Sequence, residues 1–470
     1  MLQVILKKEI KDIYRDGQFK VLAVIIVLLL IVSAWVSFTH QRQLHTLHQQ
    51  AQLTERKVWE TQKSKNPHSA AHFGQYVFKP VYPLSVIDPG IDRYTGVMQY
   101  LEAHKRNHEQ FSALQDQTEL ARFADLTPAF VLQFLVPLLL LVIGYNKVTK
   151  EKENGSFKLL VSQGASVFSI LAGKWLAVIT AVAILLLPAL LLAGLLLSQS
   201  PQFYWNIFLC FTGIYFIYYA IIAGVTVMIS ALVKKSGASF LYSLLFWIIT
   251  TILIPRLITN IANSRAPLLT NEQMVQWVND MNESRGGNIH DLSGAMYKHL
   301  VDSLLNKYHV DSVSQLPVNM AGIRLDMGEQ MDTRNFEIVY DSLFTQLNRQ
   351  QQWINRGAIF SPFLLMQDIS MHLAQTDIGN HRHFSDAGEN YRRVLVNRMN
   401  RFIAYESKRQ EAFTQFDAPD SLWKSVPEFR YTPLPGEYAL KASGYSITVL
   451  TSWLLIVLAI LFITSRKLNL

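Results

Sequence analysis

Six apolar runs divide the chain: Phe19–Phe38, Thr127–Tyr145, Trp175–Leu197, Phe203–Val233, Ser239–Pro255 and Tyr445–Thr464. Each meets or approaches the roughly 20 residues a helix needs to cross a bilayer. The fourth is long enough to tilt or to project beyond the hydrocarbon. The fifth is the shortest and ends in Pro255-Arg256. Residues 1–18 follow a different rule. Leu2, Leu6, Ile10 and Ile13 recur at helical spacing, with Lys7, Lys8, Lys11 and Arg15 on the other side. That pattern predicts a connecting helix lying in the headgroup layer, its apolar face formed by Leu6, Ile10 and Ile13.

Between the runs lie two long polar segments, 39–126 and 256–444, neither of low complexity. Gln41–Gln62 keeps helical spacing and should continue the first span outward. Asp88-Pro89-Gly90 is a turn sequence, and Tyr94–Phe111 reads as a helix. In the second segment Asn271–Met281, Ser293–Tyr308, Asn335–Asn355, Pro362–Leu373 and Asp386–Arg409 show helical periodicity. Strand patterns are scarce. The expected fold is a membrane all-α protein: six transmembrane helices, an N-terminal interfacial helix and two mainly helical external insertions. The boundaries are 1–18, spans at 19–38, 127–145, 175–197, 203–233, 239–255 and 445–464, a cytoplasmic segment 146–174 and a tail 465–470.

Charge orients this arrangement. Lys7, Lys8, Lys11, Arg15 and Lys20 precede span one, and Lys147, Lys150, Lys152, Lys158 and Lys174 lie between spans two and three. Lys234 and Lys235 lie between spans four and five, and Arg466 and Lys467 follow span six. All fall on one side if both termini are cytoplasmic. The net charge of +8 is then positive-inside bias, and no basic stripe interleaved with aromatics points to nucleic acid. With 50% hydrophobic and 17% charged residues the chain is too apolar for an ordinary soluble enzyme. The lone Cys210 excludes a disulfide framework. The first run is too long for the core of a cleavable signal.

Past the flanking Lys20, the six runs hold no Asp, Glu, Lys, Arg or His. An ion-coupled carrier normally needs such groups at membrane depth. No GxxxxGK[ST] sequence occurs, so the chain has no phosphate-binding loop. A separate ATPase is the simplest driver. The place for it is Lys150-Glu151-Lys152-Glu153-Asn154-Gly155-Ser156-Phe157-Lys158-Leu159-Leu160-Val161-Ser162-Gln163-Gly164. Its charges can fix register across an interface. Ser156 can cap a short helix, Phe157, Leu159 and Leu160 offer an apolar surface, and Gly164 suits a left-handed helix end. Ser166 should then cap a helix that runs through Gly173-Lys174 into span three.

Other candidates are lesser. Pro137, Pro188 and Pro255 fall in the spans, where missing backbone bonds could form hinges or simply pack. Tyr215, Phe216, Tyr218 and Tyr219 make span four aromatic. His381 and His383 alternate, but with no cysteine nearby they read as structural histidines bonded to Asp386 or Glu389 rather than as metal ligands. No metal site is assigned, and Asp377, Asp386 and Glu389 are read as ordinary external carboxylates, not a hydrolytic pair.

Glu151, Glu153, Gly155 and Ser156, followed by Leu159-Leu160-Val161-Ser162 and Gly173-Lys174, resemble the cytoplasmic segment of ABC-2 type (type V) permeases, where an E-x-E-x-G-[ST] run sits between spans two and three. Phe73–Pro80, Pro83-Leu84, Asp88-Pro89-Gly90, Leu101–Lys105, Leu316–Asn319 with Gly322, and His381–Phe384 with Glu389, Tyr391 and Arg392 resemble a subgroup with large periplasmic insertions of unknown function. The resemblance implies a non-catalytic permease subunit, an exporter of the inner membrane. It implies that residues 150–164 contact an ATPase subunit carrying the ATP and Mg, and that a second permease copy or a paralogue completes the dimer. The external domains would be periplasmic or extracellular and could meet an envelope partner. Their length also keeps open a mechanotransmission complex in which no cargo crosses.

Overall fold

The computed structural model describes residues 1–107, 126–200, 202–285, 287, 289, 291–407 and 417–468. Among them are six helices long and apolar enough to cross a membrane: Gly17–Glu60, Pro128–Glu153, Val167–Leu197, Trp205–Leu232, Ser236–Arg265 and Gly444–Lys467. Among the described residues, strand is confined to one small sheet. The fold is therefore an all-α membrane fold.

Helix α1 (Leu2–Arg15) stops at Asp16, whose side chain accepts from the Gln18 amide at 2.8 Å and caps α2 (Gly17–Glu60). The 44 residues of α2 form span one and its outward extension, as the spacing of Gln41–Gln62 predicts. Its far end is anchored where Trp59, fully buried, meets Trp423 edge to face at 5.9 Å and donates to the Trp423 carbonyl at 3.0 Å.

The prolines divide by context. A π-helical turn, Val131–Leu135, precedes Pro137 at the start of Val136–Gly144, and another, Ile249–Leu253, precedes Pro255 at the start of Ile254–Arg265. A proline ring clashes with the carbonyl four residues back and lacks an amide; the wider turn relieves both faults. Pro188 lies inside the unbroken Val167–Leu197.

The external part begins with α3 (Pro67–Phe73), capped by Asn66. It is followed by β1 (Gln75–Phe78), β2 (Met98–Glu102) and β3 (Lys105–Arg106). The strands are antiparallel, with Gln75 opposite Leu101 and Leu101 opposite Arg106. The helix expected over Tyr94–Phe111 is thus not formed across residues 98–106; residues 108–111 lie outside the described residues. The cause is local. Gly96 at φ +87° ends a single helical turn, and alternate residues Gln99 and Leu101 are then buried as a strand requires. Tyr76 and Tyr100 pair across the strands at 4.7 Å.

The second segment is helical where periodicity placed helices, save that residues 408 and 409 of the last lie outside the described residues: α11 (Asn271–Ser284), α12 (Ala295–Tyr308), α13 (Met320–Ala358), α14 (Pro362–Ala374) and α15 (Ile378–Glu406). In this numbering Val136–Gly144, Thr149–Glu153, Ser156–Ser162, Val167–Leu197, Trp205–Leu232, Ser236–Ile248 and Ile254–Arg265 are α4 to α10, and Gly444–Lys467 is α16. Helix α13 begins at Met320 rather than Asn335, because Asn319 caps it by accepting from the amides of Ala321 and Gly322. A Cβ at Gly322 would collide with the backbone at Ile403 and Ala404, so its absence permits the close crossing of α13 and α15. One core unites the spans with α14, which lies against spans four and six. A second, around Trp59, Val77, Leu101, Phe384, Leu395 and Trp423, holds the external part together.

Candidate coupling site

Residues 149–164 fold as two short helices at the end of the span bundle that α1 also packs against. Helix α5 (Thr149–Glu153) is capped from span four: the Ser230 hydroxyl accepts from the amides of Val148 and Thr149 at 3.0 and 3.1 Å. Asn154 and Gly155 reverse the chain, Gly155 taking φ +79°, and α6 (Ser156–Ser162) follows. Gly155, not Ser156, holds the cap position, and Asn154 before it accepts at Oδ1 from the Ser156 amide at 3.1 Å. A serine at the first helical position cannot serve as its own cap. Gly164 takes φ +86° as expected, and Ser166 caps the unbroken helix α7 through Lys174 into span three.

The charges of this stretch do not all face outward. Glu151 is buried, and its carboxylate lies 2.9 Å from the ammonium of Lys174 and 3.1 Å from that of Lys8. Glu153 accepts from the amide and hydroxyl of Ser236, both at 2.8 Å, and so caps span five. Lys152 donates to the Ala231 carbonyl of span four. Lys150 is exposed. Phe157 turns inward, and Leu160 is half-buried. What is exposed at the tip is Asn154, Gly155, Lys158, Leu159, Ser162, Gln163 and Gly164, with Leu159 59% exposed.

Helix α1 presents a face rotated from the one its apolar spacing predicts. The buried positions are Ile5, Glu9 and Ile13; Leu6 and Ile10 flank them, half-buried. Glu9 is the residue that periodicity misses, because it reads as polar. It is buried, with Lys174 at 2.8 Å, Lys8 at 3.2 Å and Lys147 at 3.8 Å. Burial opposes its ionisation, but the ammonium groups, Lys174 foremost, override this and hold the carboxyl below its ordinary range. Gly173 permits the close approach: a Cβ there would lie 2.8 Å from the Ile5 side chain. One ion network thus joins α1, the base of span two, α5 and the base of span three.

A second polar cluster lies at the opposite end of the spans. Asp88, buried, accepts from the Gln133 amide at 3.2 Å and from the Ser370 hydroxyl. Tyr215 completes the ring, at 2.9 Å from Gln133 and 3.1 Å from Ser370. The hydroxyls of Tyr218 and Tyr219 bond the carbonyls of Gln133 and Leu132, within the π turn of span two. The aromatic run of span four is therefore a polar clasp in the bundle interior. Nearby, His372 lies 3.5 Å from Asp368 and 3.4 Å from Asp377. Burial disfavours its charge, but the two carboxylates outweigh that and push the imidazole up to about 10. Between the extension of α2, the residues after β1 and the loop after span three is a cavity of about 980 Å³. Its walls mix Phe38, Phe78 and Leu197 with Arg42, Gln49 and Gln52.

His381 and His383 sit on helix α15, not on a strand, so two residues apart they face different directions. His383 is not bonded to Asp386 or Glu389 in the way expected. His383 meets the Tyr431 hydroxyl at 2.9 Å, Asp386 pairs with Arg106 at 2.8 Å, and Glu389 pairs with Arg392 and Arg393. The imidazoles that do converge are those of His68, His72 and His104. Their sequence signal is the spacing His68-x-x-x-His72 on a helix.

A family model described as ABC-2 family transporter protein matches residues 50–282. A second, a domain of unknown function (DUF3526), matches residues 272–432, the helical part of the second external segment. No curated protein matches the chain.

Proposed function

Given that the chain belongs to the ABC-2 family of transporter proteins, a family of membrane permeases, we propose that it couples ATP hydrolysis by separate ATPase subunits to export across the inner membrane. Two permease subunits, identical or paralogous, would stand side by side, with both termini cytoplasmic and the external domains periplasmic. The ATPase engages the exposed tip at Asn154–Gly164, inserting Leu159 into a groove, while ATP and Mg remain on the ATPase. Motion of the tip reaches the bundle because α5, α1 and α7 share Glu151, Lys174 and Glu9. That shared network is the observation that carries the reading. On the outer side, the mixed apolar and polar cavity suits hand-over of an amphipathic cargo.

The test uses the purified permease–ATPase complex in liposomes. Leu159→Asp should abolish association with the ATPase. Glu151→Gln should leave association intact while uncoupling hydrolysis from transport. Normal assembly and transport in Leu159→Asp would overturn the docking assignment.

A second reading rests on α2, which runs without interruption from Gly17 beside α1 to Glu60 at the second core. The same stroke could pass to the external domains as mechanotransmission with no cargo crossing. ATP-dependent movement of a substrate into or out of the liposomes would exclude that as the sole function.

A further inference from the structure

We propose that His68, His72 and His104 form a zinc-binding site on the external part of the chain. His68 and His72 sit one turn apart on α3, so their rings project from the same face. Their Nε2 atoms are 3.1 Å apart. Two imidazoles bound tetrahedrally to one zinc at about 2.0–2.1 Å each stand about 3.3–3.4 Å apart. The pair is therefore already at ligand spacing. His104 supplies the third ring, its centroid 5.3 Å from that of His68 and 5.4 Å from that of His72. One ligand nitrogen from each of the three lies within 4.8 Å of the other two.

The third ligand is held from behind. His104 occupies the tight turn between β2 and β3 at φ +62°, a left-handed conformation that fixes where its ring can go. Its backbone amide donates to Glu329 at 3.1 Å, and its Nδ1 lies 3.1 Å from the Asp332 carboxylate. Glu329 is itself paired with the buried Arg392. With Nδ1 committed to Asp332, ligation falls to Nε2. A carboxylate behind a histidine in this way sets the tautomer and raises the basicity of the ligating nitrogen. Three imidazoles without thiolate suit zinc, which accepts three protein nitrogens and keeps a fourth position for water. His72 is exposed, so an ion can enter from solvent. Bound zinc would tie α3 to the β2–β3 turn and, through Asp332, to α13, joining the two external segments. The site does not depend on the proposed transport role, because it is read out by zinc alone.

The experiment titrates zinc into the purified, metal-stripped full-length protein against a chromophoric competing chelator. Cobalt(II) provides the visible spectrum of the site. One zinc per chain is expected, with a tetrahedral cobalt spectrum. His68→Ala with His72→Ala should weaken zinc at least ~100-fold, and Asp332→Asn should weaken it ~10–100-fold, as loss of an outer-shell partner does. His72→Ala alone removes an exposed ring and decides the matter if the double variant melts below the metal-free parent. Failure to bind stoichiometric zinc, or equal binding by His72→Ala, would overturn the proposal. A site that takes copper(II) but not zinc would overturn the choice of metal.

Discussion

The two ends of the span bundle both bury charge, but by opposite means. At the end where α1 packs, Glu9 and Glu151 are matched by Lys8, Lys147 and Lys174, and the groups come from four separate parts of the chain. At the opposite end Asp88 is met by the backbone amide of Gly90, the side-chain amide of Gln133 and the Ser370 hydroxyl. Burial there pushes the Asp88 carboxyl up, in spite of those hydrogen bonds. An ionic network holds its parts together through long-range attraction and resists the loss of any member. A ring of neutral donors depends on local geometry and tolerates a neutral replacement. Under the proposed coupling, the difference would suit a driven end that must move as one body and an opposite end that can rearrange.

Removing the shared cation should break the comparison most sharply. Lys174→Met leaves Glu9 and Glu151 buried and undercompensated, at a cost of about 3–5 kcal/mol. Thermal melting of the purified protein should show it, with Asp88→Asn as the outer counterpart. If both variants melt alike, the contrast between the two ends is wrong.

His372 gives the next effect. Replacing it with Leu removes the cation that Asp368 and Asp377 share and leaves both buried carboxylates without it, at a cost of about 1–3 kcal/mol. Because its pKa is raised, its stabilisation is present in full below the ordinary histidine value and is lost as pH rises through about 10. Glu9 has the opposite sign: its contribution is present above the ordinary carboxylate value and is lost as pH falls through its lowered one. Melting curves across pH should therefore lose their alkaline limb in His372→Leu and their acidic limb in Glu9→Gln.

Gly155→Ala should cost about 1–2 kcal/mol, the price of a left-handed non-glycine residue. Open space around Gly155 leaves no steric contribution. The observable is weaker ATPase association, with the transmembrane core unchanged by hydrogen exchange. Asp88→Asn is the smallest expected change, below about 1 kcal/mol. Wild-type stability should decline as pH rises from the ordinary aspartate range towards the raised value of Asp88, and the variant should flatten that decline. An unaltered slope would assign it to other groups.

The spans were legible because membrane helices advertise themselves by length and hydropathy. So was the outward run of α2, whose polar half keeps helical spacing. Glu9 was not, because its burial depends on Lys174 arriving from far along the chain, and periodicity counts a glutamate as surface. Glu151 and Glu153 looked like interface charges for the same reason: their partners, Lys8, Lys174 and Ser236, are distant in sequence. The π turns before Pro137 and Pro255 leave no periodic trace. Met98–Glu102 was mistaken for helix because a short strand packed by Tyr76 carries too few residues to reveal its alternation. The histidine cluster was half visible in His68 and His72, but His104 joins them only through the hairpin.

Helix α2 contains neither glycine nor proline after Gly17, so it lacks the usual causes of a kink. At 1.5 Å per residue it is a rod about 66 Å long. A tilt of about 5° at its N-terminal foot becomes about 6 Å of sideways travel at its far end. Trp59 sits at that far end, clasped by Trp423. A stroke too small to see near the membrane would there be as wide as a side chain.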